Sequence, residues 1–450
     1  MVSLSAIYLG LAVALTGFQA HAAPIDAASY MALDDVSILD HSHPAFGAAL
    51  DPAASITVVS SDDDIGAGAS NRTDGESGIL PMEVNPNPDT QRLQSYFGTP
   101  METNVNKLVK AAQVSPLPWP SSYWPVYLDG INARWNGNDA SPAEKYARAF
   151  GLDPKKFTDT ISRNNGILSQ SWRRACGSNA DCDGLNDGSE CGIRSGESRG
   201  YCIPTWFGIC HAWAPAAMLE AEPKCAVNKN GVTFRPFDIK ALITQIYDGA
   251  SAGVVFTGVR YNGPVNGPKD QYGRFTDAAY RDLNAGYFHV AFSNILGRFK
   301  RSFILDVSAG PEVWNQPIRG YNVVEQKTYT PVDAARQFYR ANAYPFNANA
   351  VSIQYVRTRF SWIVEAYEDG PLVSTGRVNQ YTNTVDYTYL LELDASGNII
   401  GGEWLGRSNG EHPDFLWFVT AQPSVDTVTN VGLSYKNVRA LLDASVRGNG

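Results

Sequence analysis

Tyr201-Cys-Ile-Pro-Thr-Trp-Phe-Gly-Ile-Cys-His-Ala-Trp-Ala-Pro-Ala-Ala-Met-Leu-Glu220 runs from an aromatic, glycine-containing turn straight into Ala-rich helical sequence, and Cys210 stands where one becomes the other. Unpaired N–H groups and the macrodipole at a helix start favour an anion. A thiol placed there ionises more readily, and the thiolate is the nucleophilic form. The same N–H groups suit the oxyanion formed when sulfur attacks a carbonyl, with the nearby Trp206 indole N–H as a second candidate donor. Pro215 within the run predicts a helix that begins late or kinks. For an isolated cysteine the better reading is a buried or disulfide-bonded side chain, so the surrounding chain has to decide.

All six cysteines, at 176, 182, 191, 202, 210 and 225, fall within fifty residues of a 450-residue chain. In an oxidising compartment that is a local disulfide patch. With Cys210 kept free, five remain, enough for two bridges and one leftover, in a pairing the spacing leaves open. Inside the patch, Asn179-Ala-Asp181-Cys-Asp183-Gly184-Leu185-Asn-Asp187-Gly-Ser-Glu190 has the spacing of a twelve-residue calcium loop. Asn179, Asp181, Asp183 and Asp187 offer side-chain oxygens, Leu185 its carbonyl, and Glu190 a bidentate carboxylate, with Gly184 at the sharp turn. The expectation is a Ca²⁺ site, of modest affinity because Asn179 stands where Asp is usual. The plainer alternative is an acidic turn pinned by Cys182 and Cys191.

Of six histidines, three lie at or before His43. His211 adjoins Cys210 but points roughly 100° away around a helix, and His412 sits in a polar loop. His289 falls within Gly286-Tyr-Phe-His-Val-Ala-Phe292, which reads as a strand, and Asp306 ends the next strand seventeen residues later. The expectation is a triad in which Cys210 attacks, His289 carries the proton and Asp306 fixes the imidazole's tautomer. Singly, His289 reads better as a satisfied core histidine and Asp306 as a turn residue; the triad rests on the three together. Their order resembles that of papain-like enzymes.

Outward from this centre the chain divides by charge. Residues 24–97 hold twelve acidic and two basic side chains, a net of −10 in a chain of −9, so the remainder is close to neutral. Residues 1–22 read as a secretory signal, with an apolar run from Ile7 to Gly17 and small residues at Ala20 and Ala22. Residues 23–97 read as a largely disordered acidic segment, a propeptide or a solvated spacer. As a propeptide it is expected to restrain the body through carboxylates set against the Cys210 helix start or competing for calcium, an effect that salt would weaken. Asn71 heads a glycosylation sequon. No basic stripe suggests nucleic acid and no further apolar run suggests a membrane span. Residues 98–250 read as a helical half, with helices over Met101–Val114, from Ser141, over Asp153–Ile161 and over Asp238–Tyr247. Residues 251–450 read as a strand-rich half, with a hairpin turning at Asp394–Asn398 and one helix after Thr330. The fold class expected is α+β, papain-like, with a cleft between the halves.

Val313-Trp314-Asn315-Gln316-Pro317-Ile318-Arg319-Gly320-Tyr321-Asn322-Val323-Val324-Glu325 closely resembles the thirteen-residue peptide epitope of the oomycete transglutaminase elicitor family. The resemblance extends over about residues 100–430. It implies a secreted, Ca²⁺-dependent protein-glutamine γ-glutamyltransferase with a papain-like catalytic arrangement, acting on glutamine- and lysine-bearing proteins outside the cell or in the wall. It also implies an exposed peptide recognised by plant immune receptors. On its own physics the segment reads as a loop lining the cleft, anchored by Trp314 and turning at Gln316–Gly320. Two rivals remain: a papain-like cysteine peptidase, which resolves the same thioester with water, and a non-catalytic wall glycoprotein.

Overall fold

The computed structural model describes residues 36–48, 87–281 and 283–448. The apolar run Ile7–Gly17, the sequon at Asn71 and most of the acidic segment lie outside the described residues. Two pieces of that segment are nevertheless built into the fold, against the expectation of a disordered leader. The first contains strand β1 (Ser37–Ile38), and the second is helix α1 (Pro88–Phe97). Asn87 caps α1 by accepting the Asp89 N–H, Pro88 fills its first position, and Leu93 is fully buried. Asp89 accepts the Gly258 N–H while Arg92 donates to the Phe256 carbonyl, so the folded body begins about ten residues before position 98.

The chain continues through β2 (Ala111–Gln113), α2 (Pro142–Ala149), α3 (Pro154–Asn165), β3 (Ala175–Cys176), β4 (Ser189–Gly192), β5 (Gly200–Pro204), α4 (Cys210–Leu219), β6 (Val227–Lys229), β7 (Val232–Phe234) and α5 (Pro236–Gly249). Ser141 and Glu144 close a reciprocal capping box on α2, and Asp153 caps α3, as their sequences predict. Met101–Val114 does not form the expected helix. Its Val105 and Leu108 are buried, but Glu102 accepts the Asn104 N–H and Asn104 accepts the Asn106 N–H. Such local bonds offer the backbone an alternative to the helical ladder, and the segment becomes turns leading into β2. Bridges Cys176–Cys191 and Cys182–Cys202 pin the small β3-β5-β4 sheet, leaving Cys210 and Cys225 free.

The second half holds β8 (Gly253–Gly258), α6 (Ala285–Phe292), β9 (Ile304–Asp306), β10 (Asn315–Tyr329), α7 (Pro331–Ala334), β11 (Ser352–Ile363), β12 (Thr382–Leu393), β13 (Ile399–Trp404), α8 (Ser408–Glu411), β14 (Phe415–Val419) and α9 (Tyr435–Arg447). One antiparallel sheet runs in the order β1-β8-β14-β9-β10-β11-β12-β13, with β2 also paired to β10. The molecule is α+β, and the β12–β13 hairpin lies where its sequence puts it. The halves are less distinct than expected, because α6 and α9 belong to the second and β1 and β2 precede it.

Two further expectations are corrected. Residues 286–292 are helical, not a strand: Asn284 accepts the Gly286 and Tyr287 N–H groups, and every residue of α6 is buried. A helix buried all round has no polar face, so its sequence loses the 3.6-residue period and its aromatic content reads as strand. The 313–325 segment is neither a loop nor an exposed peptide. From Asn315 on it is the start of β10, between β9 and β11, with a register shift between Ile318 and Gly320 that accommodates the Pro317 neighbourhood. Val313, Asn315 through Ile318, Gly320 and Tyr321 are buried, and only Asn322 and Glu325 are exposed.

Packing follows from these elements. Phe288 and Phe292 of α6 join Phe360, Tyr387, Tyr389 and Trp404 of the sheet in one core. Trp213 of α4, Phe237 and Tyr247 of α5 and Leu441 of α9 form another. A third gathers Ala214, Ile304, Val313 and Trp417 together with Leu39 and Ala45 from the N-terminal piece.

Candidate active site

Cys210 is the first residue of α4, which begins at the expected place and runs through Pro215. Ile209, at the cap position, supplies no side-chain cap, and its N–H is spent on the Tyr123 carbonyl. The thiol faces β10. Its Sγ receives the Asn315 Nδ2–H at 3.3 Å and lies 3.6 Å from the Val313 carbonyl. Trp417 donates to Asn315 Oδ1 at 2.7 Å, which fixes the amide's orientation and points its N–H₂ at the sulfur. The thiol is fully buried, and that burial pushes it up to about 11 despite the Asn315 bonds that favour the thiolate. Burial thus works against the easy ionisation expected of a helix-start thiol.

Asp306 stands directly across from Asn315 in the β9–β10 pairing. Its Oδ1 accepts the Trp314 and Ser308 N–H groups, while Oδ2 is buried with no hydrogen-bond partner. Burial raises the carboxyl to about 7, against those two bonds and the Arg260 charge. Arg260 feels the charges of Asp306, Asp414 and Cys210, and its guanidinium donates to the carbonyls of Phe46 (3.0 Å) and Pro44 (3.4 Å). Next along β10, Gln316 donates to the half-buried Glu365 carboxyl at 2.8 Å, and desolvation raises that carboxyl's pKa.

The structure brings Cys210 and Asp306 to one place and leaves His289 out. The His289 ring, inside α6, meets the Tyr389 hydroxyl at 2.7 Å through Nδ1 and packs on Phe292. Burial holds it down at about 3, a neutral core histidine. The histidine that follows the thiol on α4 is His211, whose direction around the helix argues against it in the sequence. Its Nε2 meets Asp248 of α5 at 3.0 Å, its Nδ1 accepts the Gly47 N–H at 3.3 Å, and burial lowers its pKa. Those partners fix the tautomer with the proton on Nε2. Trp206 is half-buried and packs edge-on against Phe207.

The calcium loop keeps one predicted feature: Gly184 has φ 83°, the turn its position requires. Its donors do not converge. Asp181 accepts the Gly177 and Ser178 N–H groups, Asp187 pairs with Arg173, Asn179 accepts the Cys191 N–H, and Glu190 lies on β4 opposite Ile203. Among the described residues the clustered ligand-type atoms are the sulfurs of Cys176, Cys182 and Cys202, all committed to disulfides. As folded, Asn179, Asp181, Asp183, Leu185, Asp187 and Glu190 do not fit a calcium ion. Among the described residues no helix is long and apolar enough to cross a membrane.

The family model described as "Transglutaminase elicitor" matches residues 89–448. No curated protein matches the chain. A crystal structure of the GP42 transglutaminase from Phytophthora sojae is 50% identical, covers 81% of this chain and 99% of its own, and superposes with a TM-score of 0.74.

Proposed function

The chain belongs to the transglutaminase elicitor family and is a transglutaminase, an acyltransferase, and from that premise we propose that Cys210 is its nucleophile and Asp306 its proton-holding partner. In this reading the Cys210 thiolate attacks the γ-carboxamide carbon of a protein glutamine. The carbon–nitrogen bond breaks, ammonia leaves with a proton from the site, and a thioester remains. A lysine ε-amine then attacks the thioester, loses a proton, and leaves as an isopeptide while the thiolate reforms. Asp306, with Oδ2 unpartnered and a pKa near neutrality, suits a group that takes and returns a proton at each stage. Asn315 orients the sulfur, and the Arg260 charge favours the anionic forms of both reacting groups.

The observation that carries this reading is a sulfur at a helix start that receives the Asn315 amide, with the buried, unpartnered Asp306 carboxyl opposite Asn315 on the paired strand and coupled to the thiol by charge. A helix-start thiol facing antiparallel strands supports a papain-like disposition without a histidine on those strands. The test is incorporation of a labelled amine into a glutamine-rich protein. Cys210→Ala should abolish it with the fold intact, and a rate within a few-fold of wild type would move the nucleophile elsewhere.

The His211–Asp248 pair favours a second assignment of the base, since a neutral imidazole with its tautomer fixed by a carboxylate is a known device for proton transfer. Comparing His211→Gln with Asp306→Asn decides between them: the base is the residue whose loss removes the pH dependence of turnover. We propose extracellular or wall proteins as substrates, supported by the apolar N-terminal run and the two disulfides. Recognition of residues 313–325 by a plant receptor belongs to the same proposal, with the peptide read after release or unfolding.

A further inference from the structure

The groove at Cys210 is already filled. Residues 36–48 cross it as a strap, starting where β1 pairs with β8 and Leu39 donates to the Ala252 carbonyl at 2.9 Å. Leu39 and Ala45 are buried against Val313 and Trp417. Phe46 is 4% exposed and lies on the His211 ring with centroids 4.0 Å apart. The strap's backbone then takes up the groups that surround the sulfur. Asn315 donates to the Ala45 carbonyl at 2.8 Å and Arg260 to the Phe46 carbonyl. Gly47 gives its N–H to His211 Nδ1 and its carbonyl to the Gly208 N–H at 3.0 Å. A Cβ on Gly47 would stand 3.2 Å from Cys210 Sγ and 2.6 Å from the Gly208 carbonyl oxygen, so the closest approach admits glycine alone.

We propose that residues 36–48 occupy the groove that receives the glutamine-bearing polypeptide, and that the enzyme is closed until this strap leaves. The proposal rests on Cys210 being the nucleophile. Three observations carry it. First, at Ala45–Gly47 the groove reads main-chain carbonyls and an amide, which any extended polypeptide presents. Second, the residue against the sulfur is glycine, so the strap offers no carboxamide where a glutamine side chain would enter; it is an occupant and not a substrate. Third, the strap lies outside the region shared with the family, which begins at residue 89. Being tethered, it competes with substrate at high effective concentration. The buried, high-pKa state of Cys210 fits a closed form.

The experiment uses the full chain with Cys225→Ser, so that Cys210 is the single free thiol among the described residues. Phe46→Ala removes the ring from His211, and Gly47→Val wedges the strap off the sulfur; the two act by opposite physical causes. Each should raise the rate of Cys210 alkylation by iodoacetamide at least about tenfold, and amine incorporation with it. A synthetic peptide of residues 36–48 should reverse both effects, raising KM for the glutamine protein and leaving kcat unchanged. Unaltered alkylation in both variants overturns the proposal, as does failure of the peptide to reverse it, since unfolding would expose the thiol without being rescued. Inhibition that lowers kcat at constant KM removes the strap from the substrate groove. If alkylation rises and the peptide reverses it while Cys210→Ala still incorporates amine, the nucleophile assignment has failed, and the strap covers a thiol that does no chemistry.

Discussion

Asp306 carries the sharpest consequence of burial in this site. Raising its carboxyl from 3.8 to about 7 sets roughly 4 kcal/mol against the ionised form. Because the folded value lies above the unfolded one, the stability it contributes is complete below about pH 4 and is lost as pH rises through 7. Asp306→Asn should therefore flatten the fall in melting temperature between those values and gain on wild type above pH 7. In the proposed chemistry the same variant should lose about 100-fold in amine incorporation. A variant that keeps both the slope and the rate would assign the titration to another group. His289→Ala is the counterpart. It leaves a cavity and strips the Tyr389 hydroxyl of one partner, so it should cost about 2–4 kcal/mol in denaturant unfolding while kcat stays within about twofold. A large loss of kcat at unchanged stability would return His289 to the chemistry. The placement of Cys210 at a helix start and of Asp306 at a strand end is legible in the sequence because both features are written locally. Asn315 is not, since its role depends on the β9–β10 register, and the His211–Asp248 pair exists only once α4 and α5 have packed.

At the scale of elements, β10 has two roles that conflict. The segment that resembles a receptor-read peptide is also the strand that turns Asn315 onto the thiol, and most of it is buried between β9 and β11. A receptor needs the peptide's side chains, which the native sheet withholds. Antibody raised against residues 313–325 should bind heat-denatured or proteolysed protein at least about tenfold better than native protein by surface plasmon resonance; equal binding would mean that β10 opens readily in the native state. The Pro317 and Gly320 that suggest a turn mark instead a register shift, which local sequence does not distinguish from a turn. The loop at 179–190 shows the same limit from the other side. Its spacing is that of a calcium loop, yet Arg173 holds Asp187 and the Gly177 and Ser178 amides hold Asp181. If calcium can use this loop it must displace those partners. Arg173→Ala should then raise calcium affinity in calorimetry and Glu190→Gln should lower it, and indifference to both would leave the loop a disulfide-pinned turn.

Over the whole molecule, the net charge of −10 in residues 24–97 suggests a leader held electrostatically, and the described strap is held in another way. Its carboxylate Asp40 is occupied within the strap by the Ser42 N–H and hydroxyl. Contact with the body is made by main-chain bonds and by the uncharged side chains of Leu39, His43, Ala45 and Phe46, which salt does not screen. Two histidines make the strap's hold dependent on acid instead. His43, edge-on to Phe256 and near Trp417, is held down at about 4 by burial and then by His211, with Asp40 opposing; His211 is lowered by burial and His41, with Asp248 opposing. A histidine freed with the strap titrates near 6.5, so the released state binds the extra proton. The sign follows: the folded pKa is depressed, and strap contacts lose stability as pH falls from about 6.5 toward 4, by up to about tenfold in opening per pH unit for His43. Hydrogen exchange of the Leu39 and Gly47 amides, corrected for intrinsic rates, reads this directly with β12 amides as reference. Strap protection should fall across that window while β12 protection holds, and raising salt from 0.05 to about 1 M should change neither. Loosening by salt without loosening by acid would return the restraint to the acidic leader's charge and deny the histidines any part in it.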